Sequence, residues 1–444
     1  MAHHYFPHTP HDVKTMLDAC NAEKVMDLYS DVPSELRLAK AYDLPPSVSE
    51  PEVREWFEEI GRKNKSLICF AGACAYDHYT PAVIPALTSR SEYLTAYTPY
   101  QPEISQGTLQ YIFEYQSMMA AMTGLDVSNA SLYDGATATA ESMIMAVAAS
   151  RKKRRVLVSA TIDPKVLEVV NTYARYQKIA VEVIPQKDGV TDREEFELML
   201  AAGDVAAVIV ASPNYFGILE DYEGWADSIH RAKALFIING PALPLAVVKT
   251  PGEWGADIAV GDAQSLGMPL SYGGPYLGYM CCTNALIRKM PGRIVGATKD
   301  DKGQRVFVLT LQAREQHIRR EKATSNICSN QGLMTLHAAI YMSLMGPEGL
   351  REANRLSANA AHYMAEKLEL TGKMRLTYPS KPFLNEFSMT MSDPHTSGEV
   401  LEALEAEGIL GGVAVDDREL IIACTELRSR EQIDKYVKIV ESLA

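Results

Sequence analysis

The chain has 444 residues, 47% hydrophobic and 22% charged, with a formal net charge of −13, a globular composition able to bury a large core. Such acidity argues against nucleic acid or an anionic membrane as the main partner, since both want a basic face. Apolar stretches such as 242–248 fall far short of the ~20 residues that span a bilayer, no secretory signal pattern opens the chain, and the seven cysteines, without a CxxC pair, read as reduced thiols of a cytoplasmic protein.

Residues 11–62 carry helix-like patterning with acidic caps, punctuated by Pro45, Pro46 and Pro51, and are read as an N-terminal helical arm, 1–62. From about 130 to 282 the pattern alternates. Short β-branched runs at 155–159, 206–211, 235–238, 257–260 and 276–282 are separated by helical segments such as 166–176 and 222–234. That alternation predicts an α/β domain, 63–338, with a mostly parallel sheet covered on both faces and its crevice at the carboxyl ends of the strands. The stretches 290–296 and 311–326 are read as a basic helix-to-loop passage, by default a solvated charged face. The last hundred residues read strand (385–391), helix (397–407), strand (420–425), helix (430–443), a smaller α+β C-terminal domain placed at 339–444. No internal repeat or low-complexity tract is present.

Three stretches could carry chemistry. Asp134-Gly135-Ala136-Thr137 opens a helix, and a glycine followed by small residues at a helix start exposes N–H groups suited to a phosphate; the plainer alternative is a well-capped, tightly packed helix. The strand and polar turn at 256–267, returning through Tyr272-Gly273-Gly274-Pro275, have the shape on which pyridoxal-phosphate enzymes place a Schiff-base lysine. Yet no lysine lies between Lys249 and Lys289, and the preceding strand ends in Asn239-Gly240 where an aspartate would hold the pyridinium nitrogen. The third stretch, Tyr97 to Gly107, is dense in polar and aromatic groups and stiffened by Pro99 and Pro102; an ordered surface loop with packed tyrosines competes evenly with a functional loop. The histidines at 3, 4, 8 and 11 lack a carboxylate or cysteine to complete a ligand set, so no metal site is expected. Cys281-Cys282 reads as buried filler.

At these residues the chain resembles the glycine cleavage system P-protein family, specifically the alpha chain where that enzyme is split into two polypeptides. The resemblance rests on Ala75-Tyr76-Asp77-His78-Tyr79, on 97–107 and 129–141, and on Ser212-Pro213-Asn214-Tyr215-Phe216-Gly217. It continues through 264–278, 290–296, 311–330 and Gly346-Pro347-Glu348-Gly349-Leu350. Asp163-Pro164 departs from the expected His-Pro, and Ser212 stands where a Gln or similar residue is usual.

The resemblance implies a fold-type-I (aminotransferase-like) pyridoxal-phosphate transferase fold. It also implies pairing with a homologous beta subunit, as α2β2, in which the beta chain carries the lysine and the pyridoxal phosphate. Ser265 then falls at or beside the lysine's place, Gly135, Ala136 and Thr137 form a degenerate phosphate turn, and this chain holds no catalytic residue and no covalent cofactor of its own. The reaction implied is decarboxylation of the substrate glycine, with CO₂ released and the aminomethyl group passed to the lipoyl arm of H-protein. Residues expected to wall the partner's site are Tyr97, Tyr100, Gln101 and Glu103, with Thr324 and Ser325 donating a hydroxyl to the partner's phosphate. The rival readings are a self-sufficient pyridoxal enzyme using a lysine such as Lys322, and a scaffold that only stabilises its partner.

Overall fold

The computed structural model describes residues 5–38, 40, 42–150 and 152–443. It divides into two compact units, Met1–Lys65 and Ser66–Ala444. In the first, the helices Pro10–Ala19 and Glu50–Gly61 are each opened by a capping box, Thr9 with Asp12 and Ser49 with Glu52. Each box satisfies orphan N–H groups that the helix itself leaves bare. No residue of these two helices is buried.

The second unit is built on a seven-stranded sheet. Its strands in chain order are β1 (Val127–Ser128), β2 (Arg155–Ser159), β3 (Ala180–Ile184), β4 (Val205–Ala211), β5 (Leu235–Asn239), β6 (Ile258–Asp262) and β7 (Gly278–Cys282). The spatial order is β1-β7-β6-β5-β4-β2-β3. The pairs from β3 through β6 are parallel, and β7 runs antiparallel to both β6 and β1. All seven residues of β4 are buried, which is why that strand reads as an unbroken apolar run rather than an alternating one. The expected strands are present; the short edge partners β1 and β3 were not anticipated.

Helices cover both faces. Gly135–Ser150 is buried almost throughout, its Gly, Ala and Thr residues letting it lie close to the strands. Pro164–Gln177 buries Val166, Val170 and Ala174 on one stripe, with Asp163 capping its start, a four-residue repeat that keeps one face inward. The helix read at 222–234 is shorter, Trp225–Arg231, because Gly224 in the left-handed region (φ 78°) interrupts its entry.

The basic passage differs from expectation. Ile294–Lys299 and Arg305–Thr310 form an antiparallel hairpin, closed by the Asp300–Gln304 turn, in which Gly303 adopts φ 78°. Only 312–322 is helical, in three short turns. β-branched residues on both sides of an Asp-Lys-Gly turn outweighed the surrounding charge.

The helix Gly332–Leu370 breaks at Gly346 (φ 59°, ψ 179°), next to Pro347; a proline lacks the N–H that would continue the ladder. Before the break its residues pack with the central-sheet cluster, through Ala338, Tyr341 and Met342. Near its end Ala361, Met364 and Leu368 pack against Phe387 and Ile422 of a four-stranded antiparallel sheet, Met374–Leu376, Glu386–Met391, Glu419–Ala423 and Val413–Ala414. Among the described residues no helix is long and apolar enough to cross a membrane.

Candidate functional site

The carboxyl ends of β5 and β6 and the start of the Gly135–Ser150 helix enclose a cavity of about 280 Å³, lined among others by Cys74, Asp134, Asp163, Lys165, Asn239 and Asp262. The parallel strands bring these groups together as the alternating pattern predicted.

Ser265 is 1% exposed, and its hydroxyl accepts a 3.0 Å hydrogen bond from the Leu243 N–H. Its neighbour Gln264 is fully engaged: the side chain accepts from the Tyr76 N–H at 2.8 Å and donates to the carbonyls of Tyr76 (2.8 Å) and Met268 (2.6 Å). Asn239 donates to Thr139 Oγ1 at 2.8 Å rather than presenting an acid to the cavity.

At the helix start the Gly135 N–H donates to Asp262 Oδ2 at 3.0 Å, and the Thr137 N–H to Asp134 Oδ1 at 2.7 Å. The chain's own carboxylates therefore occupy amides that a phosphate would need. A Cβ at Gly135 would lie 2.8 Å from the Asp262 nitrogen, so only glycine allows the helix this close. Burial pushes the Asp262 carboxyl up to about 7, against three backbone N–H bonds that pull it down. Burial and the neighbouring Asp163, Glu386 and Asp262 carboxyls also hold the Cys74 thiol well above its ordinary range, the opposite of what an activated thiol needs. Pyridoxal phosphate does not fit these residues. The buried Ser265 offers no amine, the Gly135 and Thr137 amides are taken by carboxylates, and among the described residues the one cation of the lining is Lys165, an exposed residue.

The loop over this cavity is held from the four-stranded sheet. Glu386 accepts from the Ala73 N–H (2.6 Å) and the Tyr76 hydroxyl (2.9 Å), and Glu426 meets His78 Nδ1 at 2.7 Å. Ala73 and Cys74 both take positive φ, 57° and 72°. Of the two departures, Asp163 caps a helix through the Lys165 N–H at 2.8 Å, and the Ser212 N–H donates to the Asn239 carbonyl at 2.8 Å.

The remaining candidates gather elsewhere. Tyr97, Tyr100, Gln101 and Glu103 lie on one exposed loop, with Tyr97 84% exposed, while Pro99 is buried beneath it. Thr324 and Ser325 are half-buried. Arg293, a residue the sequence reading passed over, ties the loop to the stretch 328–330 that follows Thr324 and Ser325. Arg293 is buried and donates to the Tyr100 hydroxyl (3.2 Å), the Cys328 carbonyl (2.6 Å) and Asn330 Oδ1 (3.1 Å). The only signal for it was its place in the Pro291-Gly292-Arg293 turn. Lys322 is exposed and does not line the strand-end cavity. His3 and His4 lie outside the described residues; His8 and His11 are exposed. Among the described residues no three of His, Cys, Asp and Glu are grouped to hold a metal ion. Cys281 and Cys282 are buried in β7 with free thiols.

Comparison with known proteins agrees with this geometry. The family model described as glycine cleavage system P-protein matches residues 3–440. The chain is 46% identical over 439 residues to the probable glycine dehydrogenase (decarboxylating) subunit 1 of Syntrophomonas wolfei, covering 98% of each. It is 40% identical, with TM-score 0.89 and 99% of each chain covered, to the crystal structure of glycine decarboxylase (P-protein) of the glycine cleavage system in inhibitor-bound form. The sphingosine-1-phosphate lyase of Burkholderia pseudomallei, 13% identical with TM-score 0.67 over 92% of this chain and 93% of that one, shares the fold alone. The architecture is that of fold-type-I pyridoxal-phosphate enzymes, and the chain belongs to the glycine cleavage system P-protein family.

Proposed function

We propose that this chain is the cofactor-less alpha subunit of a two-chain glycine dehydrogenase (decarboxylating), assembled as α2β2 with a homologous beta subunit that carries the pyridoxal phosphate. The assembled enzyme removes CO₂ from glycine and passes the aminomethyl group to the lipoyl arm of H-protein, in the cytoplasm. The observation that carries the assignment of the cofactor to the partner is the internal filling of the strand-end cavity. Ser265, Asn239, Asp134 and Asp262 spend their hydrogen bonds on the chain itself, leaving the exposed Lys165 as the one amine in the lining.

The chain's share of the reaction is to wall the partner's site. Tyr97, Tyr100, Gln101 and Glu103 sit exposed on a loop stiffened by the buried Pro99 and held at the Tyr100 hydroxyl by Arg293, so they need little ordering on assembly. Thr324 and Ser325 edge a small niche shared with Arg288, Lys289, Arg314 and Arg319, a cationic setting in a chain of net charge −13. That setting suits hydroxyls meant for an anion such as the partner's phosphate. The boundary between large and small domains, read at 338/339, is proposed to lie within the long helix beginning at Gly332.

The test uses the chain rigorously freed of its partner. After incubation with pyridoxal phosphate and borohydride, peptide mapping is expected to find no specifically reduced lysine. Exchange of the glycine carboxyl carbon with labelled bicarbonate is expected only once the beta chain is added. One stoichiometrically labelled lysine, at Lys322 or elsewhere, or robust exchange by this chain alone, would sink the assignment.

A further inference from the structure

A second cavity, of about 370 Å³, lies two turns along the Gly135–Ser150 helix and away from the strand ends. Its buried wall includes Glu141, which is 1% exposed and whose two carboxylate oxygens have no hydrogen-bond partner. Tyr173 and Tyr176 of the Pro164–Gln177 helix form one side, and Arg320, Thr324 and Ser325 another. A buried carboxylate without donors is an expense that folds seldom keep, because the lost hydration is not replaced. Burial raises the Glu141 carboxyl to about 7, and the nearby Ser325 hydroxyl offsets only part of that.

We propose that this cavity is a binding site for a small α-amino acid, its ammonium group on Glu141 and its carboxylate at Arg320. The inference goes beyond the proposed function and rests on Glu141 and Arg320, which that function does not use. An ammonium brought against Glu141 would hold its carboxyl in the ionised form, whose lone pairs, about four, take the three donors an ammonium brings. A phosphate is disfavoured by the same carboxylate, and a purely apolar ligand would leave it as unsatisfied as before. Arg320 is exposed and belongs to no ion pair among the described residues, leaving its planar fork available for a carboxylate. Tyr173 supplies an apolar wall, and the side-chain amides of Gln316 and Asn326 in the lining can take the zwitterion's remaining bonds. A volume of about 370 Å³ is at the small end for ligand sites and suits a single amino acid with water.

Calorimetric titration of the full chain, alone and assembled with its beta subunit, decides the matter, with glycine, alanine and serine as probes and methylamine and acetate as half-ligands. Saturable binding of at least one amino acid is expected in both states, with each half-ligand about tenfold weaker or worse. Glu141→Gln keeps the side chain's shape and is expected to weaken that binding at least tenfold. Arg320→Gln, on the surface, is expected to weaken it severalfold and serves as the deciding variant if Glu141→Gln fails to fold. No saturable binding by any probe up to tens of millimolar overturns the proposal, as does equal binding by the folded variants. Binding that vanishes on assembly also overturns it, since a partner side chain would then fill the cavity.

Discussion

Tyr100 and Arg293 show how one buried side chain sets the meaning of an exposed one. The Tyr100 hydroxyl accepts from the Arg293 guanidinium, which also lies 5.4 Å from the centre of its ring, so the loop's tyrosine is oriented from below by a cation. Tyr100→Phe keeps the ring and removes the acceptor. Turnover of the assembled enzyme is expected to fall about tenfold, equivalent to about 1.4 kcal/mol in the transition state. Stability should change by less than about 1 kcal/mol, because Arg293 retains Cys328 and Asn330 as acceptors. Steady-state rates and thermal unfolding of the assembled variant read both. Wild-type turnover for Tyr100→Phe and Tyr97→Phe alike would remove the loop from the site. The loop's polar and aromatic density was legible in the sequence, whereas Arg293 was not. A single arginine after Pro-Gly looks like any solvated charge, and its burial comes from packing between segments far apart in the chain.

The helix beginning at Gly135 argues the next scale. Sequence patterning anticipated the helix and its placement at the strand ends, because strands and helices alternate with clear changes of period. It did not anticipate what fills the turn. Asp262 lies 127 positions away along the chain from Gly135, and only the pairing of strands places its carboxylate on that amide. The 294–310 hairpin was missed for a related reason: charged residues flanking β-branched ones mask strand alternation on a partly exposed ribbon. Gly135→Ala tests the close approach. The added methyl would meet the Asp262 backbone at 2.8 Å and the Gly261 carbonyl carbon at 2.9 Å, forcing the helix outward and stretching the Asp262 bond. A loss of about 2 kcal/mol in unfolding free energy is expected by denaturant titration; an unchanged midpoint would show that the helix start can shift freely.

Across the whole molecule, three buried carboxyls share one property. Glu141, Asp262 and Glu386 are each pushed up to about 7, with burial as the leading cause. In the unfolded chain such groups lose their protons near pH ~4. Between pH ~4 and ~7 the folded form therefore holds protons the unfolded form has released, so stability that is fully present below pH ~4 falls with rising pH and is gone once the pH has passed through 7. Glu426 works the other way, since its bonds to His78 and the Tyr79 N–H hold it below the usual range despite burial, so its contribution is lost in acid. Unfolding free energy is accordingly expected to fall by roughly 2–4 kcal/mol from pH 6 to pH 8, each group contributing up to about 1.4 kcal/mol per pH unit within its window. Glu386→Gln should flatten the slope by about a third, the share of one group in three. A slope of opposite sign in denaturant titrations across that range would refute the linkage.

The carboxylate on the Gly135 amide also sets what a substitution could restore. Putting a lysine at position 265 would not by itself recreate a cofactor pocket, because the phosphate would still meet Asp262 at the helix start. Removing Asp262 alone would bare two strand-end turns, at Gln264 and Gly135, with no imine to reward the loss. Each change alone costs contacts the chain now makes, so a lysine at 265 and the removal of Asp262 would have to come together. On the proposed assignment the chain depends on its partner for amine and phosphate contacts alike, which makes the surfaces that partner requires the costliest to change.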